Sequence, residues 1–384
     1  MLPSQRGLFT VPRNICYLNS ASYSPLPLRT QEAARVAVGR KAAPWTLDPS
    51  FASRQHERTR AAAARLLNAD ANDIALTPSI SYGVATAAKL VRIPQGHRVI
   101  LLENDHSSPV LEWRTRSETQ GFTVETVAQP QDGDWTSAVL AAIERPSAPP
   151  VALASISSVH WSDGGLIDIV KVASALKRQG ALFLIDATQS AGVIAMDVKT
   201  LDPDFVLFPT YKWLLGPYGR AFFYVARRHQ SGIPLEQTSF GRRGVNSEAP
   251  VYFADLDYVD SARRFDMGER DHFISMEMAA IGMEMMAEWG ASAIVERLEM
   301  LTSRMADGLS AKGLAGVQVM DARFRAPHIL SVGFAGGVPA GLVEGLAGEG
   351  IHVAARLARM RLSPHVFNDE EDIDRFVEAL ARRI

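Results

Sequence analysis

The sequence predicts an α/β fold with three layers, in which helices cover both faces of a mostly parallel β-sheet. Three observations lead to this prediction. Short apolar runs alternate with amphipathic stretches through most of the chain. The apolar runs have the length of buried strands, and the stretches between them carry the apolar spacing of helices. A chain of 384 residues can bury the core of such a domain together with a second, smaller core.

The first two thirds of the chain provide the sheet and its covering helices. Helical spacing begins near Leu28 and resumes over 54–67, where the alanines at 61–64 favour helix. The runs predicted as strands are 99–102, 123–127, 151–156, 182–185, 205–208 and 221–225. The helices predicted between them are 107–120, 136–143 and 167–179. Strands that alternate with helices indicate parallel βαβ units.

The last third predicts a smaller α+β domain. A long helical region spans 273–312 and is interrupted near Gly290. Its methionines have the spacing of core residues, which is the more common role of such a stripe than a ligand site. A strand at 328–334, a helix at 340–348 and a closing helix at 369–382 follow.

Composition limits the kinds of function that the chain can have. Hydrophobic residues make up 47% and charged residues 21%, which is typical of a globular protein. The net charge of −2 provides no electrostatic attraction for nucleic acid or an anionic membrane. Cys16 is the only thiol, which excludes an intrachain disulfide and a multi-cysteine zinc site, so no metal site is expected. With no long apolar run and no signal-peptide pattern, we expect a cytoplasmic protein.

A lysine and an acid follow two neighbouring strands of the predicted sheet. Asp186 comes directly after the run 182–185, and Lys212 comes shortly after 205–208, followed by apolar residues. Because the carboxyl ends of parallel strands meet at one edge of a sheet, both side chains can face one cavity. A buried amine can form a Schiff base, and a carboxylate can hold a protonated pyridine nitrogen. These are the two protein groups that pyridoxal 5'-phosphate (PLP) chemistry needs.

Several motifs resemble those of the class V aminotransferases, the branch of PLP fold type I that also contains cysteine desulfurases, kynureninase and isopenicillin N epimerase-like proteins. The resemblance rests on residues 17–21, on Asp186, Gln189 and Lys212, and on 216–219, and it covers nearly the whole chain. It implies a large PLP-binding domain at 28–265. A linking helix and small domain would then occupy 266–384, and an N-terminal segment, 1–27, would close on the active site.

The resemblance also implies roles for the residues around the cofactor. Lys212 would form the Schiff base and move the α-proton of the substrate, and Asp186 would pair with the pyridine nitrogen. Gln189 would hydrogen-bond the phenolic oxygen, and His106 would stack on the ring and act in catalysis. The phosphate would be bound at the start of a helix, where backbone N–H groups are free. The residues implied for this task are Ser79, Ile80, Ser81, Thr210 and Tyr211.

Substrate and partner contacts follow from the same resemblance. Arg361 would bind the α-carboxylate of the substrate through its fork of N–H donors, with Arg356 as the alternative and Asn19 beside them. In relatives a threonine reaches the phosphate of the neighbouring subunit, where this chain has Glu269. Glu269 would repel a phosphate, so Arg270 is the better candidate. This arrangement implies a homodimer with shared active sites.

The sequence departs from its relatives at three places. The stretch 354–359 has no cysteine where the desulfurases carry their reactive thiol, so we expect that the chain is not a persulfide-forming cysteine desulfurase. Near Ser158 an asparagine of many relatives is missing, and His160 or Trp161 would contact the cofactor or substrate instead. The adjacent arginines 242 and 243 are either solvated or recognise a second acidic group of the substrate.

These observations predict a PLP-dependent enzyme, a transferase or lyase, that acts on a small amino acid. Transamination is the favoured reaction, and β-elimination, including C–S cleavage, and epimerisation remain open. A non-catalytic PLP-binding regulator is a weaker alternative because no DNA-binding segment or basic patch is visible. A nucleotide-binding dehydrogenase is set aside because no Gly-x-Gly-x-x-Gly turn follows a predicted strand.

Overall fold

The structure is a computed structural model that describes residues 2–48 and 50–384. The helices are α1 (Leu28–Ala42), α2 (Phe51–Leu67), α3 (Ile80–Leu90), α4 (Ser107–Gln120), α5 (Trp135–Ile143), α6 (Ile169–Arg178), α7 (Val198–Leu201), α8 (Phe273–Trp289), α9 (Ala291–Ala311), α10 (Leu342–Gly348) and α11 (Glu370–Ala381). The strands are β1 (Cys16–Tyr17), β2 (Ile74–Thr77), β3 (Arg98–Leu102), β4 (Thr123–Val127), β5 (Val151–Ser157), β6 (Leu182–Asp186), β7 (Phe205–Pro209), β8 (Ala221–Val225), β9 (Arg242–Val245), β10 (Phe253–Tyr258), β11 (Val317–Val319), β12 (Leu330–Phe334), β13 (Ile351–His352), β14 (Ala354–Arg356) and β15 (Arg359–Leu362).

The main sheet has seven strands in the order β2-β8-β7-β6-β5-β3-β4. Only β8 runs against its neighbours, so the sheet is mostly parallel, as predicted. Its central strands are buried on both faces, which explains why they are continuous apolar runs rather than alternating ones. All six strands predicted for this sheet are confirmed, and β2 is the one that the sequence pattern missed.

The register of the strands sets the position of the functional loops. Thr77 pairs with Ala221, which pairs with Pro209, so the end of β2, the start of β8 and the end of β7 share one row. Asp186 pairs with Leu207 on one side and with Ser157 on the other. The loops that follow β2, β5, β6 and β7 therefore open at the same edge of the sheet.

The C-terminal part combines two long helices with a second sheet. Helices α8 and α9 confirm the predicted helical region. They are separated at Gly290, which has a φ of 80°, a backbone conformation that glycine adopts without a steric penalty. The methionines of α8 are buried against α1, α2 and the main domain, as core residues are. The antiparallel sheet has the order β11-β12-β15-β14. The hairpin β14–β15 was not predicted, because its short strands carry arginines and lack an apolar alternation.

The N-terminal segment joins the C-terminal part of the chain. Strand β1 pairs in parallel with β13, and Asn19 forms a bridge with Ser363. Arg6 forms a buried ion pair with Asp372 at 2.8 Å. The segment is therefore held by residues more than three hundred positions away. Among the described residues, no helix has the length and apolar content needed to cross a membrane.

Candidate active site

Lys212 lies at the carboxyl edge of the sheet, in the loop that follows β7. It is 7% exposed, and its Nζ makes no hydrogen bond or ion pair with any residue that the structure describes. Burial and the positive charge of Arg361 lower the pKa of this amine to about 8. The loop is supported from behind by α8, where a Cβ at Gly282 would lie 2.1 Å from the Leu214 carbonyl oxygen. The lysine is therefore held as a poorly solvated amine without a partner.

Asp186 is the last residue of β6 and is 2% exposed. Desolvation raises the pKa of its carboxyl to about 6, against the hydrogen bonding of Thr188, whose N–H donates to Oδ1 at 2.8 Å. Asp186 forms no ion pair within the described part of the chain. A buried carboxyl of this kind fits a ligand that brings its own N–H donor, such as a protonated pyridine nitrogen.

Gln189 is held in a single orientation by Trp213. The indole Nε1 of Trp213 is only a donor, and it donates to Gln189 Oε1 at 2.8 Å. The amide nitrogen of Gln189 therefore points the other way, where one hydrogen reaches the Ala21 carbonyl at 3.2 Å and the second remains available. This orientation fits the expected contact with a phenolic oxygen.

Two buried histidines hold Trp213 and Gln189 in place, and the sequence did not single out either of them. His328 packs edge-on against Trp213 at 4.4 Å and bonds the Gln189 carbonyl at 2.5 Å. His365 stacks on the same indole at 5.5 Å and bonds the Trp213 carbonyl. Burial lowers the pKa of His328 to about 3 and that of His365 to about 4, so both rings are neutral at pH 7.

The start of α3 brings together the serines that the resemblance assigned to the phosphate, here called the anion cradle. Ser79 caps the helix by accepting the Tyr82 N–H at 3.2 Å, and the hydroxyls of Ser79 and Ser81 lie 3.2 Å apart. The helix can approach β7 because position 83 is glycine, where a Cβ would lie 2.1 Å from Leu207 Cδ2. The cradle, the free N–H groups and the hydroxyls suit a phosphate.

Thr210 has an internal hydrogen-bond partner. Its hydroxyl donates to the Pro217 carbonyl at 2.7 Å, and its contact with a phosphate stays a prediction. This hydrogen bond of Thr210 fixes the turn of the lysine loop.

Tyr211 packs on Tyr218 with ring centroids 3.9 Å apart, and Lys212 Nζ lies 5.6 Å from the centre of the Tyr211 ring.

His106 stands at the mouth of the site, at the start of α4. The residue is exposed, and its ring lies edge-on to Trp161 at 6.0 Å. Neighbouring protein atoms partly desolvate the imidazole. This desolvation, together with the positive charge of Lys212, lowers its pKa. Asp105, which the sequence did not indicate, accepts hydrogen bonds from the Ser157 N–H and hydroxyl and so ties this loop to β5.

Arg361 brings a second uncompensated charge into the site. It is 1% exposed, and its Nη atoms donate to the Trp161 carbonyl and the Ser22 hydroxyl, both at 2.6 Å. Asn19 Oδ1 lies at 3.5 Å, and Arg361 Nε has no partner among the described residues. Burial, with a contribution from Arg356, lowers the pKa of this guanidinium to about 9. With no acidic partner, Arg361 fits a carboxylate ligand.

Other residues indicated by the sequence lie in contacts of their own. Arg270 pairs with buried Asp266 and covers the Phe240 ring at 4.2 Å. His160 bonds Asp163 and the Glu103 carbonyl and is fully buried, so it supports the site without facing it. Trp161 contributes its carbonyl to Arg361.

Comparison with known proteins shows which family the chain resembles. The model of the family described as Aminotransferase class-V matches residues 49–376. An uncharacterized aminotransferase, YcbU, of Bacillus subtilis (strain 168) is 27% identical over 83% of this chain and 81% of its own length. A probable cysteine desulfurase of Methanothermobacter thermautotrophicus is 28% identical over 55% of this chain, and the match spans only 53% of that relative.

Solved structures share the whole fold. The apo structure of the cysteine desulfurase from Thermococcus onnurineus NA1 superposes with a TM-score of 0.83, at 20% identity, over 99% of this chain and 97% of the other. The cystine C-S lyase C-DES, in complex with its reaction product cysteine persulfide, has a TM-score of 0.82 at 19% identity, over 96% of this chain and 98% of the other. The large three-layer α/β domain with a mostly parallel sheet is thereby confirmed as PLP fold type I.

One expectation is wrong. The missing cysteine at 354–359 led us to exclude a persulfide-forming cysteine desulfurase, yet proteins of that name occur among both the sequence relatives and the solved structures. The absence of a thiol from one loop is a local feature and does not define the reaction class of a shared site. The family model matches most of the chain and the buried lysine, carboxyl and anion cradle suit the family's cofactor, so this chain belongs to the class V aminotransferases and is PLP-dependent.

Proposed function

We propose that the chain is an enzyme that acts on a small amino acid, with Lys212 as its proton-transfer residue. The observation that carries this proposal is the pair of buried cations without partners. Lys212 and Arg361 lie close enough for the charge of Arg361 to lower the pKa of the amine, and neither forms an ion pair among the described residues. An amine beside a carboxylate-binding arginine matches the α-carbon and α-carboxylate of an amino acid.

Each residue of the site would have a defined task. Arg361, with Asn19 and Ser22, would hold the α-carboxylate, and Lys212 would take up the α-hydrogen. Because its pKa is lowered to about 8, a larger fraction of Lys212 than of an ordinary lysine is the neutral amine, which can accept that proton and return it. Asp186 would hold the pyridine nitrogen protonated, Gln189 would donate to the phenolic oxygen, and His106 would cover the ring. When bound, the cofactor supplies the electron sink that makes the α-hydrogen acidic.

The phosphate and the partner subunit complete the proposed site. Ser79, Ile80 and Ser81 would bind the phosphate at the start of α3, with Tyr211 nearby. We propose that the protein is a homodimer and that Arg270 serves the phosphate of the neighbouring subunit. The N-terminal segment, 1–27, would close the site, because Asn19 and Ser22 already touch Arg361.

Transamination is the favoured reaction, and C–S cleavage is the second candidate. The aminotransferase name of the Bacillus relative, which is matched over most of its length, supports the first. The names of the desulfurase relatives and of the C-S lyase structure support the second. Epimerisation uses the same proton removal, and it would also require that a proton be returned to the opposite face of the α-carbon.

The proposal is tested with the purified holoenzyme and the variant Lys212→Ala. We expect a visible absorbance band that borohydride shifts in the wild type and that the variant lacks, with activity lost by at least about a thousandfold. Lys199→Ala, on the exposed helix α7, is the matched control and keeps both. Assays for keto acid, pyruvate, sulfide and loss of optical rotation separate the reactions. A coloured protein that converts no amino acid would overturn the enzymatic proposal and favour a PLP-binding regulator.

A further inference from the structure

Two guanidinium groups meet at a single hydroxyl in the site. Arg361 Nη2 and Arg356 Nη2 both donate to Ser22 Oγ, at 2.6 and 3.2 Å. Their charged ends therefore lie within roughly 6 Å of each other, where like charges repel strongly in a partly buried site. Two cations are not expected to share one neutral hydroxyl unless an anion is to be bound between or beside them.

No ion pair compensates these two charges within the described residues. Neither Arg356 nor Arg361 pairs with an acid there, whereas the buried Arg6, Arg60 and Arg98 each do. The remaining donor contacts of Arg356 and Arg361 are to carbonyl and amide oxygens, including those of Ala355 and Trp161. The α-carboxylate of one substrate molecule carries a single charge, so it neutralises only one of the two arginines.

The two arginines also differ in depth. Arg361 is buried on β15 beside the lysine, whereas Arg356 is half-buried at the tip of the hairpin β14–β15, where Leu357 and Ala358 form the turn with positive φ. An amino acid that places its α-carboxylate on Arg361 would extend its side chain away from the lysine, and Arg356 stands at the rim of the same space. This order matches a substrate with an inner and an outer anionic group.

We propose that the enzyme selects amino acids whose side chain ends in an anion, a second carboxylate or a sulfinate, and that Arg356 binds this group. The inference rests on the proposed function and adds the substrate class to it. Arginines 242 and 243 are occupied by other contacts, since Arg242 is held by Tyr258 and Gln237 and Arg243 by Asp260; recognition of an acidic group by them stays a prediction.

The experiment measures amino acid binding to the holoenzyme from the change in cofactor absorbance. The probes are aspartate and glutamate, each paired with its neutral isostere asparagine or glutamine, and cysteine sulfinate paired with cysteine. We expect the wild type to bind at least one acidic amino acid about 10- to 100-fold more tightly than its isostere. Arg356→Gln removes this difference and leaves the neutral amino acids unchanged, and Arg356→Lys restores part of it.

Arg359→Gln is the matched control, because Arg359 lies on the same hairpin but binds Ser331 instead of Ser22. It is expected to preserve the preference. Cofactor absorbance and the melting temperature of each variant verify that it is folded. Equal losses for acidic and neutral probes would assign Arg356 to the α-carboxylate and overturn the proposal, as would no preference in the wild type. If the proposed function itself is wrong, the result is different: the protein binds cofactor, but no amino acid changes the cofactor absorbance.

Discussion

The site is defined at the scale of single residues by charges that lack partners. Lys212, Asp186 and Arg361 are each almost fully buried, and each has a pKa displaced mainly by desolvation. Burying a charge costs stability unless a partner is supplied. The folded chain therefore carries a local cost that the cofactor and the substrate offset, which is the arrangement expected of a binding site rather than of a core.

Removing the lysine charge is expected to stabilise the cofactor-free protein. Lys212 has its pKa lowered from 10.5 to about 8, so the unfolded chain binds this proton more tightly than the folded one. Stability contributed by the neutral amine is complete above the unfolded value and is lost as the pH falls towards 8. At pH 7, Lys212→Met is therefore expected to raise the unfolding free energy of the apoprotein by on the order of 2 kcal/mol.

This gain is measured by denaturant titration at pH 7 and pH 10. Lys41→Met, on the exposed end of α1, is the control and is expected to change stability little. A gain that does not shrink at pH 10, or a loss at pH 7, would show that the lysine charge is compensated in the apoprotein. The cofactor must be absent, because in the holoenzyme the wild type gains a bond that the variant lacks.

At the scale of elements, the position of α3 against β7 determines the anion cradle. Gly83 lies where these two elements touch, and Leu207 on the other side is fully buried. Gly83→Ala forces Leu207 out of its packed position or moves the helix, which is expected to cost about 1–3 kcal/mol of stability. We also expect weaker cofactor binding, because the N–H groups that face the phosphate would move with the helix.

The matched control for this change is Gly348→Ala in α10, where a Cβ would meet nothing within 4 Å. In an exposed helix this substitution is expected to be stabilising by about 0.5–1 kcal/mol, the opposite sign. Thermal melts of both variants and titration with free PLP measure the two effects. Normal PLP affinity in Gly83→Ala would show that the cradle does not depend on this contact.

Elements with a strong local pattern could be predicted from the sequence, and those set by distant contacts could not. The helix 107–120 and the strands 123–127 and 221–225 were predicted with their observed bounds, since apolar spacing defines them. Strand β2 was missed because its four residues form a strand only through pairing with β8. Lys212 and Asp186 were indicated by adjacent strands, whereas Ser22, His328 and His365 reach the site through tertiary packing that no local pattern records.

At the scale of the whole molecule, we expect the holoenzyme to be a dimer with a mass twice that of the chain. Exposed apolar side chains on the outside support this: Val36 and Val38 on α1 are exposed, and Trp45 beyond the helix is 82% exposed. Trp45→Glu is expected to give a monomer that loses PLP, because Arg270 of the partner would no longer be present. Light scattering and cofactor absorbance measure both properties.

Leu111→Glu is the control for this change, since Leu111 is also exposed but lies on α4. It is expected to leave the mass and the colour unchanged. A Trp45→Glu monomer with full cofactor occupancy and full activity would mean that each chain carries a complete site.

The contacts of Asn19 and Ser22 have a consequence for synthesis in the cell. Both residues are translated long before their partners, because Ser22 binds Arg361, 339 positions further along the chain, and Asn19 bridges to Ser363. The strands of the main sheet are all translated before Arg361, so the sheet can fold while this corner is still incomplete. A nascent chain stalled before residue 361 would contain Lys212 and the start of α3 but not the buried guanidinium.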